Sequence, residues 1–448
     1  MSALKTREQW GSKLGFILAA MGSAVGLGNI WRFSYVAGES GGAAFLLIYI
    51  ACIIAIGIPI LMAEFSIGRR AQSDVVGSFE TIAPGKPWVL AGFLGVASAF
   101  IILSFYGVVA GWSLHYFLQY FTGGPAAAEA GGYGDYFVSF ISSPIQPLFW
   151  QFLFMALTIG IVYGGVKKGI EMWNKILMPA LAILVIGLAM YSLTLGGAGE
   201  ALTFLFSPDW SAFSNPAVYL AALGQAFFSL SLGMGALITY GSYLSKKETL
   251  PSAAVSVASL DTLFAIIAGI MIFPVVFAFG ISPDSGPGLV FIALPEIFAE
   301  MNGGLIFGFL FFFLLSAAAI TSGVSLLEVA VAYFMRRFEW SRKKAAVIIG
   351  TIIFLIGVPS SLGNGVLNHV RIGGLEILDA ADFLASNIFL PLGGLMIALF
   401  VGWGWKKTDA LRESDFGDTT IGHLWVFSLR FIAPVMITLV FLNAIGIF

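Results

Sequence analysis

The chain has 448 residues, 59% of them hydrophobic and 10% charged, with a mean hydropathy of +0.95 and a formal net charge of −2. Too little polar surface remains to solvate a soluble domain, and the apolar runs far exceed one targeting signal, so the composition reads as a polytopic membrane protein embedded in the lipid bilayer. A net charge this close to zero argues against a nucleic-acid partner, and the lone Cys52, in an apolar run, excludes disulfides and cysteine-based metal sites.

Eleven helical spans are expected in chain order, at 13–36, 41–70, 88–121, 148–166, 170–194, 215–242, 252–281, 304–336, 343–359, 377–405 and 420–447. The polar stretch up to Lys13 enters span 1 without a small-residue cleavage site, so span 1 is expected to be retained. Within it, Gly22 to Phe33 carries three further glycines after Met21, at 22, 26 and 28, with Asn29 and Arg32. Each mid-helix glycine costs roughly 1 kcal/mol against alanine, which favours a local break. Broken backbone at membrane depth is tolerated only when buried in protein or lining a cavity, so this stretch is a binding-site candidate.

The loops test the count. With the N-terminus cytoplasmic, 19 of the 22 basic residues fall on one side, among them Lys13, Arg69, Arg70, Lys86, Lys167, Lys168, Lys246, Lys247, Arg336, Arg342 and Lys406. Segments 122–147, 195–214 and 282–303 carry none. The positive-inside rule therefore predicts a cytoplasmic N-terminus and an extracellular C-terminus. Segments 195–214, with Gly, Pro and Trp, and 282–303, with Gly and Pro, are long enough to fold over an external entrance.

Gly26-Leu27-Gly28 in span 1 has a counterpart in Gly233-Met234-Gly235 of span 6. Five spans separate the two, and an odd number inverts the second repeat, so the expected fold is all-α, with a first five-helix repeat over 13–194, an inverted second over 215–405, and an eleventh helix at 420–447. The 448 residues then form a single transporter domain with broken helices 1 and 6. Glycines that only let helices approach closely are the alternative for either motif alone, and explain the pairing poorly.

Polar residues inside the spans fit that reading. Asn29, Ser229 and Asp261 can offer oxygen to a hard monovalent cation near the two breaks, and Thr321 and Ser322 offer two hydroxyls more. Each hydroxyl can equally bond back to its own helix. A carboxylate such as Asp261 costs at least ~2.5 kcal/mol at the bilayer centre and must be paired, protonated or cation-bound. Glu64 and Glu328 pose the same question, with a plain interhelical bond set against a proton-carrying role.

Arg7 and Trp10, the run from Gly22 to Phe33, Gly57-Ile58-Pro59 with Glu64 and Gly68-Arg69, and the stretch Gln225 to Gly233 closely resemble the neurotransmitter:sodium symporter family, over essentially the whole chain. Within the family it looks like the bacterial branch that carries hydrophobic amino acids, and Gly169 followed by nine residues and then Pro179 is similar to that branch's motif for unwinding the fifth helix. An ordinary proline kink is the other reading of the pair.

The resemblance implies two co-transported sodium ions (Na+) and a hydrophobic L-amino acid substrate in a bacterial-type plasma membrane. The first sodium would meet the Ala24 carbonyl, Asn29, Ser229, Asp261 and the substrate carboxylate. The second would meet the carbonyls of Gly22, Val25 and Ala318 and the hydroxyls of Thr321 and Ser322. Substrate would touch Ala24, the amides of Leu27 and Gly28, the Tyr106 hydroxyl, and a side-chain pocket of Ile102, Phe228, Ser231, Met234, Ser322 and Leu326. Arg32 and Asp382 match the outer gate pair with Phe228 as lid, and Arg7 with Trp10 the inner gate.

Three departures refine this. Gly26 stands where amine-carrying relatives have aspartate, which favours an amino acid that brings its own carboxylate. Ala265 stands where chloride-dependent relatives have serine, and Asp261 supplies a fixed negative charge beside the first sodium, so transport is expected to be chloride-independent although Tyr49, Gln225 and Ser229 match the other chloride ligands. Arg336 stands where relatives have the aspartate that pairs with Arg7, so the inner gate needs another partner or a shifted alignment. Gly233 and Gly323 remove side chains near the pocket, either to admit bulky apolar substrates or merely to pack helices.

Two other classes compete. A sodium-gated channel would need a continuous pore, and a sensor of the same fold would bind without accumulating substrate. An intramembrane enzyme would need a nucleophile and base or a metal cluster, whereas His115, His369 and His423 are dispersed.

Overall fold

The computed structural model describes residues 8–126, 131–280, 289–445 and 447, and these are helical throughout apart from turns and one isolated bridge between Ile372 and Leu375. Arg7 lies outside the described residues. Nine described helices are long and apolar enough to cross a membrane: Ala43–Ala71, Val89–Phe121, Gln146–Tyr163, Val166–Ser192, Leu250–Ala278, Gly304–Phe338, Arg342–Leu362, Ile377–Gly404 and Thr420–Ala444. The two remaining expected spans are the broken ones. Span 1 is the pair Lys13–Ala24 and Gly28–Glu39, bent by 53°, and span 6 is Pro216–Ser229 followed after residues 230–235 by Ala236–Gly241.

Each break follows from local chemistry. Ser12 caps span 1 by accepting the Gly15 N–H. The helix then stops where Val25 turns extended, at ψ 108°, and the Asn29 side-chain oxygen accepts the Gly26 N–H at 3.1 Å. In span 6 the chain passes through the left-handed region at Ser231, Gly233 and Gly235, with φ of 54°, 81° and 75°. The freed groups are satisfied inside the protein, as lipid requires: Glu64 of span 2 accepts the Gly233 N–H at 2.8 Å, and the Ser231 hydroxyl donates to the Ser23 carbonyl at 2.8 Å. The two breaks thus bond to each other.

Spans 1, 2 and 6 are drawn together by glycine and aromatic contact. A Cβ on Gly68 would lie 2.1 Å from the Ile238 carbonyl oxygen, so span 2 touches the backbone of the second half of span 6, and Phe16 meets Phe65 edge-on at 5.0 Å. Spans 3 and 8 pack as a second unit through Tyr116 stacked on Phe312 at 4.9 Å and Phe117 against Phe309 at 5.2 Å. The expected external segments carry short helices, Ala198–Phe206 and Ala293–Glu300, and Tyr116 fixes the approach to the latter by donating to the Phe291 carbonyl at 2.7 Å. On the opposite side Arg69, 3% exposed at the end of span 2, pairs with Glu413 at 2.8 Å and Asp415 at 2.9 Å.

Candidate functional site

Between the broken spans lies a cavity lined by Ser23, Ala24, Gly26, Leu27, Gly28, Ile102, Tyr106, Phe228, Ser231, Met234, Ser322, Ser325 and Leu326. All ten residues expected around the substrate are among them; Ser23, Gly26 and Ser325 are additional. Gly26 is where the backbone comes closest, since a Cβ there would stand 2.4 Å from the Ser322 hydroxyl and 3.2 Å from that of Tyr106. The Tyr106 hydroxyl is buried beside the Ser322 hydroxyl and the Leu27 backbone without a well-formed hydrogen bond to either, so its proton can turn to an acidic ligand group. Ser23 donates to Ser325 at 2.8 Å, so the cavity has a hydroxyl floor beneath apolar walls.

Beside it, Asn29, Ser229 and Asp261 form one fully buried cluster. Asp261 accepts from the Asn29 amide at 2.7 Å and from the Ser229 hydroxyl at 2.6 Å, and Tyr49 donates to Ser229 at 3.1 Å. A lone cation fits such a group because the carboxylate supplies charge and the hydroxyl a neutral oxygen. The Asn29 amide now presents its nitrogen to Asp261, and coordinating a cation would require it to turn its oxygen there. A second oxygen cluster joins spans 1 and 8. The Ser322 hydroxyl lies 3.3 Å from the Gly22 carbonyl and 3.4 Å from that of Val25, and Thr321 donates to the Ala318 carbonyl at 2.9 Å.

The outer side differs from expectation. Arg32 donates to Gln225 at 3.2 Å and its guanidinium lies 4.7 Å from the centre of the Phe228 ring, while Asp382 accepts from Ser386 at 2.7 Å. Among the described residues no ion pair within 4.0 Å joins Arg32 to Asp382, because the amide of Gln225 and the face of Phe228 hold the guanidinium instead. Gln225 in turn donates to the Gly28 carbonyl at 2.9 Å, tying this arrangement to the break in span 1. Phe228 lies between the inner cavity and an outer one of about 340 Å³ that includes Arg32, Glu39, Phe227 and Asn387, and so occupies a lid position.

At the end of spans 1 and 6 opposite Phe228, Trp10 is buried, donating from its ring nitrogen to the Tyr240 carbonyl at 2.9 Å and packing edge-on against Tyr240 and Tyr243. Arg336 pairs with Asp74 and, at 2.9 Å, with Glu80, so its charge is answered by acidic residues between spans 2 and 3. Glu328 accepts from Arg342 at 2.6 Å and from the Tyr243 hydroxyl at 2.5 Å, and Arg342 also meets Glu8 at 3.1 Å. Span 5 is wound in this conformation, with wide turns over Val166–Glu171 and an α-helix over Met172–Ser192 that contains Pro179. Gly169 serves close packing here, since a Cβ would lie 2.0 Å from the Ile161 carbonyl oxygen. Gly233 and Gly323 also pack helices and do not widen the pocket: their added Cβ atoms would meet the Leu390 carbonyl oxygen at 2.6 Å and the Phe154 ring at 2.7 Å.

Two broken spans that meet around a buried cavity, flanked by oxygen clusters and lidded by Phe228, define a secondary transporter. The profile of the sodium:neurotransmitter symporter family matches residues 7–129 and 143–448. The crystal structure of MhsT in complex with L-phenylalanine superimposes with a TM-score of 0.92 at 68% identity, covering 98% of this chain and 100% of that one. An uncharacterised sodium-dependent transporter of Bacillus subtilis is 43% identical over 98% of both chains, and one of Methanocaldococcus jannaschii is 35% identical over 98% of this chain and 90% of its own. The chain belongs to the sodium:neurotransmitter symporter family: it is a multi-pass, sodium-dependent membrane transporter and not an enzyme.

Proposed function

We propose that the protein is a symporter that couples two sodium ions to the import of hydrophobic L-amino acids, aliphatic and aromatic, by alternating access and without chloride. The observation that carries this reading is the single cavity formed by all ten expected substrate residues, with the Asp261 cluster on one side and the Ser322 cluster on the other. A substrate carboxylate at the Tyr106 hydroxyl would complete the first sodium site, while Ile102, Met234 and Leu326 would surround an apolar side chain. The L-phenylalanine named with MhsT supports that substrate class. In this reading Asp261 replaces chloride as the negative partner of the first sodium.

The same proposal gives the chain two inverted five-helix repeats over 13–194 and 215–405 with an added helix at 420–447, a cytoplasmic N-terminus, an extracellular C-terminus and a bacterial-type plasma membrane location. Spans 1, 2, 6 and 7 would rock against the rest, with Arg32, Phe228 and Asp382 closing outside, and Arg7 and Trp10 inside. Unwinding between Gly169 and Pro179 would then admit water to the second sodium.

Uptake of labelled L-phenylalanine and L-leucine into proteoliposomes under an inward sodium gradient, with chloride replaced by gluconate, tests the reading. Sodium-dependent accumulation that survives the replacement is expected. Uptake that collapses without chloride would remove the role given to Asp261, and binding without accumulation would point to a sensor.

A further inference from the structure

We propose that the seam between spans 1 and 5 holds a staging site for a monovalent cation at the amide oxygen of Asn174, with the carboxylate of Glu171 as a second station nearer the cytoplasm, through which the second sodium ion leaves. The inference rests on the sodium-symport reading above and adds to it a site outside the two oxygen clusters. Asn174 is 1% exposed, and its side-chain oxygen has no hydrogen-bond partner among the described residues. Its amide nitrogen donates to the Ile170 carbonyl at 2.9 Å, which fixes the orientation and turns the oxygen away from its own helix. That oxygen faces span 1 at Gly22, where an added Cβ would lie only 2.0 Å from it. Gly22 contributes the carbonyl that approaches Ser322 in the second oxygen cluster. A buried amide oxygen left unpaired is costly, and native proteins keep such groups where water or an ion has use of them.

Glu171 stands three residues toward the cytoplasm, on the same face of span 5. Its carboxylate presses into the first turn of span 1, where a Cβ on Gly15 would lie 2.1 Å away, and accepts from the Gly11 N–H at 2.6 Å and the Ser12 hydroxyl at 3.1 Å. Its charge is balanced by Lys175 at 2.6 Å, whose side chain is 42% exposed and free to swing into water when a cation takes its place. One step further out, Glu8 accepts the Val166 N–H at 2.8 Å. Thus a carboxylate of each segment caps the start of the other: Glu8 caps span 5, and Glu171 caps span 1. A cytoplasmic cavity of about 700 Å³ opens at Glu8, Gln72 and residues 164–168. Hard oxygen ligands, all of types sodium accepts, therefore run from Gly22 through Asn174 and Glu171 to Glu8.

The test compares two transport modes of the full-length protein in proteoliposomes, using sodium and labelled L-phenylalanine. Net uptake requires sodium release inside, whereas exchange with saturating sodium on both faces does not. Asn174→Leu, close to isosteric but lacking the oxygen, is expected to lower net uptake at least tenfold and leave exchange within twofold of wild type. Asn174→Asp, which keeps an oxygen, is expected to retain net uptake. Equal loss in both modes, or loss in neither, would overturn the proposal. If Asn174→Leu no longer binds substrate at saturating sodium, Glu171→Gln read by the same two assays decides, with the same split expected. Absence of sodium-dependent uptake by the wild-type protein would instead sink the symport reading itself.

Discussion

Asp261 illustrates how one side chain can set ion dependence. It is fully buried in span 7 and spends both carboxylate oxygens on Asn29 and Ser229, so its charge is directed at the group proposed to hold the first sodium. Asp261→Asn keeps the shape and removes the charge. The expected result is a rise of at least tenfold in the sodium concentration for half-maximal uptake, partly reversed by chloride, and sodium titrations in chloride and in gluconate check it. Gly26 works through absence: Gly26→Ala would bring a methyl group against the hydroxyls of Ser322 and Tyr106, where substrate carboxylate is proposed to lie. Amino-acid binding measured by scintillation proximity should weaken at least tenfold while the protein stays folded. Both positions were legible in the sequence, Asp261 because a carboxylate in an apolar span demands a partner and Gly26 because of its place in the resemblance. Asn174 and Glu171 were not, because their meaning depends on which face of span 5 meets span 1, and sequence alone does not give that pairing.

At the scale of elements, the breaks in spans 1 and 6 are maintained by bonds that an unbroken helix could not make. Gly233 is the clearest case, with φ of 81° and no space for a side chain against the Leu390 carbonyl. Gly233→Ala should cost more than about 1 kcal/mol from the backbone conformation alone, since alanine strains at positive φ. Its Cβ also meets backbone, which cannot step aside. Gly323→Ala meets the Phe154 ring instead, which can turn. A drop of several degrees in melting temperature for Gly233→Ala, clearly larger than for Gly323→Ala, is expected in a thermal scan of detergent-purified protein. All eleven spans were legible because hydropathy reports the length of an apolar helix directly. The wide turns at Ile53–Gly57, Phe383–Phe389 and Phe400–Gly404 were not, because they arise where neighbouring helices constrain a turn and carry no composition of their own. The roles of Gly233 and Gly323 were left open for the same reason: a glycine that widens a pocket and one that seats a helix look alike until the neighbour is known.

For the whole molecule, two sodium ions moving down 100 mV and a tenfold gradient would release roughly 7 kcal/mol, about five decades of substrate accumulation. That energy is useful only if the inner and outer faces never open together, so contacts closing the cytoplasmic face must be broken and remade in each cycle. On the side proposed to be cytoplasmic, Glu328 is fully buried and held by Arg342 and the Tyr243 hydroxyl, with Arg342 reaching on to Glu8. Arg342 joins the start of span 9 to the N-terminal segment that carries Trp10, across the mouth proposed to open inward. Removing one partner of a buried pair strands the other charge and typically costs 3–5 kcal/mol, whereas removing both relieves most of the penalty. Arg342→Ala alone should therefore raise labelling of a cysteine introduced at Ser325, buried at the floor of the inner cavity, by a membrane-impermeant thiol reagent applied to the cytoplasmic face, in the Cys52→Ser background. Because a conformation with that face open cannot accept substrate from outside, external binding should weaken in step. Adding Glu328→Gln should recover much of the lost melting temperature while leaving the labelling high, since the stranded charge is gone but the latch is still missing. Recovery of both properties together would mean that the pair serves stability and not closure.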